Sequence, residues 1–410
     1  MVNSVRLIVD HDRKGCVLEM NYLYEPFIKS ERQQQLYELG NKLSASFAHR
    51  ADEVDREGRF PSENFEELKQ SGYISFTVPE KFGGKGINLY EFIMLQEQIA
   101  TGDAATALSI GWHLGIMLEM RDEQTWSDEV YERLSKLIVN EHALLNRAAS
   151  EPATGSPTRG GMPQTNASMK DGKWVINGRK SFTSMAPGLH YALVSAQIDN
   201  TGVKGFFLVD MSLEGVRIEE KWDTISMRGT RSDDLVLNDV ILSKDALIEN
   251  SGNNKSELPK AWLLHIPACY LGVAIAARNE AISFASEYSP NSLPGPIKEV
   301  PEVQRKIGEM ELELMRAREM MYSIALRWVN EPHQRKNMGA ELAAVKHVAT
   351  NSAANVVDIA MRIVGARALF KDNPMQRYYR DVRAGLHNPP MDDAVISMLA
   401  SRALTESKSS

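Results

Sequence analysis

Asp171-Gly172-Lys173-Trp174-Val175-Ile176-Asn177-Gly178-Arg179-Lys180-Ser181-Phe182-Thr183-Ser184 is the stretch whose reading decides the fold. Asp171-Gly172 and Asn177-Gly178 are residue pairs that accept positive φ, and each suits a tight type I′ hairpin. They bracket Lys173–Ile176, a short strand with Trp174 and Ile176 on one face. Leu193–Ala196, Gly205–Val209 and Asp234–Val240 read as further short strands. Residues 146–250 are therefore predicted to form a compact antiparallel β domain, a barrel or a sandwich.

On both sides of this region the hydrophobic period lengthens. Over residues 20–145, Leu36, Leu39, Leu43 and Phe47 fall at helical steps, and Pro61-Ser62-Glu63-Asn64 has the residues of a helix start. Helical patterns also cover Glu91–Ala100, Ala104–Met120 and Ser127–Val139, after a breaker-rich loop at Val78–Gly86. Over residues 251–410, Val303, Ile307, Met310, Leu314, Ala317, Met321, Ile324 and Trp328 alternate steps of four and three. Leu342, Val345, Ala349, Ala353, Val356, Ala360 and Ile363 repeat the pattern. Such seams bury long antiparallel helices against one another, as in a four-helix bundle. The linker Ser289–Pro301 holds four prolines and separates two of these helices. The predicted fold is thus α+β and multi-domain: an N-terminal helical domain, a middle β-barrel or sandwich and a C-terminal four-helix bundle. Residues 1–19 lack the apolar segment of a secretory signal and read as a leader outside the fold, with Met20 a second start.

Composition narrows the function by exclusion. The 410 residues carry a net charge of −7 and are 43% hydrophobic, which suits a globular chain. No long basic run points to nucleic acid, and no apolar stretch reads as long enough to span a membrane. Only Cys16 and Cys269 are present, which excludes a disulfide scaffold and suits the cytoplasm. The nine histidines show no metal-ligand spacing, so no metal site is expected. Phosphate-loop, dinucleotide-fingerprint and serine-hydrolase motifs are also missing.

Ser150-Glu151-Pro152-Ala153-Thr154-Gly155-Ser156, Asn177–Ser184, Met227-Arg228-Gly229-Thr230 and Arg380-Asp381 follow in order along this background. Together they resemble the acyl-CoA dehydrogenase superfamily from about residue 30 to 405. The first block is similar to the family's T-E-P-x-A-G-S-D element, and the second to its N-G-x-K-x-[WF]-I-[TS] strand. The resemblance implies a flavin, normally FAD, between the β domain and the bundle. It implies that Ala149 and Ser150 meet the pyrimidine edge and that Phe182 flanks the ring. It also implies that Ser184, with Thr183 beside it, meets N5, and that Ser156 contacts substrate or cofactor phosphate. Arg367, in the altered Gly365-Ala366-Arg367-Ala368 turn, would supply a phosphate contact of its own. Because the family's R-x-x-F-G element is replaced by Ser289–Pro301, FMN stands as the alternative to FAD.

The chain departs from the family at the catalytic base. The position of the usual glutamate falls on Pro389, and Trp262-Leu263-Leu264-His265, an alternative location, offers no carboxylate. His387, two residues before Pro389, and His113 are the remaining base candidates, since imidazole titrates near neutrality. Two enzyme classes follow from the resemblance. One oxidises an acyl-CoA or similar thioester and passes electrons to an electron-transfer flavoprotein. The other is a two-component monooxygenase, fed by a flavin reductase, in which His113, His387 and Ser184 serve oxygen chemistry. A flavin-binding protein without catalysis is the third reading. The long seams and the family suggest a homo-oligomer, dimer or tetramer.

Overall fold

The structure is a computed structural model that describes residues 22–154, 161–199, 201–250, 256 and 258–406. The expected leader, Met20 and Ser156 lie outside the described residues. Five helices come first: α1 (Glu31–Glu57), α2 (Ser62–Gln70), α3 (Leu89–Gly102), α4 (Ala104–Glu123) and α5 (Asp128–Glu141). Their ends are set by local chemistry. Ser30 accepts a hydrogen bond from Gln33 N, and Gly58 stops α1 at φ 64°. Asn88 and Glu91 form a reciprocal capping box on α3, and Asp103 caps α4.

Eight strands follow: β1 (Leu145–Ala148), β2 (Asn166–Lys170), β3 (Lys173–Lys180), β4 (Tyr191–Ile198), β5 (Val203–Asp210), β6 (Val216–Glu219), β7 (Asp234–Leu242) and β8 (Leu247–Asn250). The sheet order is β6-β7-β3-β2-β4-β5-β8, with β1 also paired to β4. Most pairs are antiparallel, as the sequence suggests, but β1 and β2 both run parallel to β4. The 181–190 segment carries the chain past the start of β2, so β4 lies on the far side of β2 and in the same direction.

The two Gly-containing pairs differ. Asp171-Gly172 is the hairpin turn between β2 and β3, with φ of 49° and 76°. Asn177-Gly178 is not a turn; it is a bulge inside β3, opposite β7. A Cβ at Gly178 would lie 2.3 Å from Thr165 Oγ1, so the glycine serves a close approach. Asn177 closes the bulge by accepting from Asp239 N at 2.8 Å and donating to Asp239 Oδ1 at 2.9 Å.

The last five helices are α6 (His265–Glu287), α7 (Pro301–Asn330), α8 (Gly339–Val364), α9 (Met375–Ala384) and α10 (Asp392–Glu406). The first four pack as a bundle, and α6 also lies against α3 and α4. Both predicted seams are buried along most of their length. One sequence expectation needs correction here. Ala261–Glu287 is long and apolar enough to cross a membrane by length and composition, yet 94% of its apolar 18-residue stretch is buried inside the protein. It is apolar because it is enclosed by helices on nearly every side.

The loop 227–231 joins all three parts. Met227 N donates to Asp381 Oδ1 at 2.6 Å, Arg228 Nε to Asp55 O at 2.7 Å, and Arg231 Nη1 to Gly58 O at 3.3 Å. Arg380 pairs with Asp55 across the same junction.

Candidate flavin groove

The site begins with a buried ion pair. Lys180 Nζ, fully buried at the end of β3, donates to Glu151 Oε1 at 2.6 Å and to Ser195 Oγ at 3.0 Å. Glu151 also accepts from Gln164 N at 2.6 Å, Thr165 N at 3.1 Å and Thr165 Oγ1 at 2.7 Å. Burial pushes the Lys180 ammonium down to about 8. Burial works to raise the Glu151 carboxyl, but the hydrogen bonds from Lys180 and Thr165 outweigh it and hold the group below its ordinary value. The pair fixes the 150–154 segment against β3, and Ser181 N donates to Ser150 O at 3.0 Å beside it. The first two sequence blocks therefore form one wall.

Phe182 follows at φ 56°, a left-handed conformation that is unusual for a bulky residue. Phe182 is 67% exposed, and its ring meets Trp222 edge-on, with centroids 5.8 Å apart. Trp222 is held from behind: its backbone N–H donates to Asp233 Oδ1 at 3.0 Å and its Nε1 to Met227 O at 3.0 Å. Asp233 is the local hub, accepting also from Lys221 N at 2.9 Å, Arg231 Nε at 2.8 Å and, through its carbonyl, Thr183 N at 3.2 Å. Ser184 Oγ lies 2.9 Å from Ser232 Oγ, which lies 2.8 Å from Thr230 Oγ1.

These residues fit a flavin. They offer an exposed aromatic face, half-buried backbone at Ala149 and Ser150, and hydroxyls at Ser150 and Ser184. Thr183 Oγ1 is buried with no hydrogen-bond partner, a polar atom that a bound group would satisfy.

The remaining predicted site residues are His113, His387 and Arg367. His113 is fully buried in α4. Leu145 N donates to its Nδ1 at 3.0 Å, so the ring proton sits on Nε2 and is donated to Ile74 O at 2.9 Å. Burial lowers its pKa to about 4. This imidazole is neutral and both nitrogens are engaged, which makes it a tie between α4, β1 and the Tyr73–Ser75 turn. His387 stands exposed in the turn Gly385–His387, next to Asn388, whose Oδ1 accepts from Tyr270 Oη at 2.7 Å. Arg367 is exposed after α8, with its guanidinium 4.3 Å from the Tyr288 ring centroid. At the alternative base location, His265 stacks on Trp262 at 5.5 Å and packs edge-on to Trp112 at 4.7 Å. Burial lowers its pKa to about 4. Among the described residues, no three His, Cys, Asp or Glu side chains group as metal ligands.

Sequence reading missed Trp222, Ser232 and Asp233 as parts of the site. They lie 40 to 51 residues from Phe182, and the β3–β7 pairing brings them near.

Comparison with known proteins shows the family. Residues 30–124, 146–240 and 264–388 match the models of the N-terminal, middle and C-terminal domains of acyl-CoA dehydrogenase. The chain is 52% identical over 377 residues to the YdbM protein of Bacillus subtilis (strain 168), covering 92% of this chain and 98% of that one. It is 28% identical to CarC, a subunit of the caffeyl-CoA reductase–Etf complex of Acetobacterium woodii, over 83% of this chain and 91% of that one. In fold it is similar to TdsC of Paenibacillus sp. A11-2, solved with FMN and indole, at a TM-score of 0.81 and 24% identity over 91% of this chain and 98% of TdsC. The chain belongs to the acyl-CoA dehydrogenase family of flavin oxidoreductases.

Proposed function

We propose that this enzyme oxidises an acyl-CoA or similar thioester at a CH–CH bond, with FAD as its electron acceptor. The observation that carries the reading is the single wall formed by Ser150, Phe182 and Ser184, held together by Glu151 and Lys180. FAD held there supplies a two-electron acceptor. Phe182 and Trp222 would bound the ring on one side, and the backbone at Ala149 and Ser150 would donate to its polar edge. Ser184 would fix the ring's orientation. CarC, with its Etf partner, supports an electron-transfer flavoprotein as the onward acceptor. Exposed Leu312, Met315 and Leu326 along α7 support self-association as a dimer or tetramer. The proposed place of action is the cytoplasm.

Removing the α-proton falls to a side chain near Asn388. Pro389 has no acid–base group, and His113 is committed to Ile74 and Leu145. His387 is the remaining imidazole in that segment, and it stands exposed.

A second reading is a two-component monooxygenase that takes reduced FMN. The proline at the base position and the exposed His387 favour it, and TdsC is a fold neighbour solved with FMN and indole. An anaerobic titration with a panel of acyl-CoAs separates the two. Bleaching of the bound flavin supports thioester oxidation. No bleaching by any acyl-CoA, with turnover only when reduced flavin and oxygen are supplied, supports the second reading.

A further inference from the structure

A cavity of about 600 Å³ lies where the C-terminal end of α4, strands β1, β5 and β8 and the segment ahead of α6 meet. Six charged side chains line it: Arg147, Lys204 and Lys260 against Glu119, Glu123 and Glu249. Two of the carboxylates are committed to cations. Arg147 donates to Glu249 twice, Nη1 to Oε2 at 3.1 Å and Nη2 to Oε1 at 2.8 Å, and its Nη2 also donates to Glu119 Oε2 at 3.2 Å. Lys260 pairs with Glu119 as well, and Trp126 Nε1 donates to Glu249 Oε1 at 2.6 Å. Burial works to raise the Glu119 carboxyl, but Arg147 and Lys260 outweigh it and hold the group below its ordinary value.

The third carboxylate upsets the balance. Glu123 stands one helical turn after Glu119 on α4, and burial, then the charge of Glu119, push its pKa up to about 7. With that proton held, the cavity wall carries three positive charges against two negative ones, and the Glu123 hydroxyl becomes a donor. Arg147 Nε is buried without a hydrogen-bond partner, an N–H that a ligand oxygen would satisfy. Arg147 and Lys204 also converge on the Phe206 ring, 4.9 and 5.0 Å from its centroid. Two like charges brought to one ring in a partly dry cavity favour an anion between them. Arg147 precedes Ser150 by three residues, about 10 Å of extended chain, so the cavity adjoins the flavin wall.

We propose that this cavity binds an anionic group of the thioester substrate, a carboxylate or a phosphate, with Arg147 and Lys204 as its cationic anchors. The proposal deepens the thioester reading above and rests on it. Both groups present the same oxyanion to the cavity: one ends an acidic acyl chain, and the other belongs to the thiol carrier.

The test is an anaerobic calorimetric titration of the full chain with four thioesters, pentanoyl and glutaryl, each carried on CoA and on pantetheine. They differ only in a terminal carboxylate and in the carrier's nucleotide phosphates. The wild type should bind the anionic members about tenfold or more tighter than pentanoyl-pantetheine. A gain that follows glutaryl on either carrier assigns the carboxylate, and a gain that follows CoA with either acyl group assigns the phosphates. In Arg147→Gln the gain should fall to about threefold or less. Lys204→Gln, which leaves the Arg147–Glu249 pair intact, should cut it likewise, and it guards against a folding defect in the first variant. Four equal affinities in the wild type, or a gain kept whole in either folded variant, would overturn the proposal. Failure of all four thioesters to bind would instead overturn the thioester reading on which it rests.

Discussion

Lys180 Nζ sits 2.6 Å from Glu151 Oε1, and neither group reaches water to any useful extent. The two residues are 29 positions apart in the chain, and their contact turns two separate motifs into one surface. Removing one partner leaves a buried charge uncompensated, which typically costs about 3–5 kcal/mol. Lys180→Met should therefore lower stability by roughly that amount in urea unfolding and should also lower the flavin content of the purified protein. Replacing both residues with apolar ones of similar size should restore most of the stability. A single variant as stable as the wild type would mean that the pair does not hold the wall.

How much of this was legible in sequence depends on how local each signal is. The helical seams of α7 and α8 and the Asp171-Gly172 turn rest on spacing and backbone preference within a few residues, and they appear where expected. Asn177-Gly178 carries the same local signal as Asp171-Gly172. It becomes a bulge because Thr165 and Asp239, both distant in sequence, close on it. Ser150 and Phe182 stand within the motifs that mark them as candidates. Trp222 and Ser232 were not, because nothing within their own segment marks them. His113 shows the limit most clearly. Its residue type suited acid–base work, but its role is set by Ile74 and Leu145, which hold both ring nitrogens.

The buried histidines predict the acid limb of the stability curve. His113 and His265 both have pKa values lowered to about 4, below the ordinary value of 6.5. Their contribution to stability is full above pH 6.5 and is lost as pH falls from 6.5 toward 4, because the unfolded chain binds protons there first. Each should add about 1.4 kcal/mol per pH unit to the slope within that window. His113→Gln should remove one proton from that slope in denaturant unfolding while leaving the pH profile of kcat unchanged. A changed kcat profile with an unchanged stability slope would return His113 to the chemistry.

Asp381 works in the opposite direction. Burial raises its pKa from 3.8 to about 7, against the pull of Arg377 and the bond from Met227 N. Its folded form favours the proton, so the stability it contributes is full below pH 4 and is lost as pH rises from 4 to 7. Asp381→Asn keeps an acceptor for Met227 N and removes this titration. Its stability relative to the wild type should rise across that interval by on the order of 3 kcal/mol. A constant difference between pH 4 and 7 would show that Asp381 stays ionised throughout.

The central claim is that one flavin lies on the wall of Ser150, Phe182 and Ser184. The most direct measurement is a fluorescence titration of the full chain with flavin, comparing the wild type with Phe182→Ala. Because the Phe182 ring is 67% exposed, its removal should cost little stability, within about 0.5 kcal/mol. The account predicts one flavin per chain for the wild type, and binding weakened at least tenfold for a Phe182→Ala protein that unfolds at the same denaturant concentration. A wild type that binds no flavin, or a variant that binds it as tightly as the wild type, would contradict it.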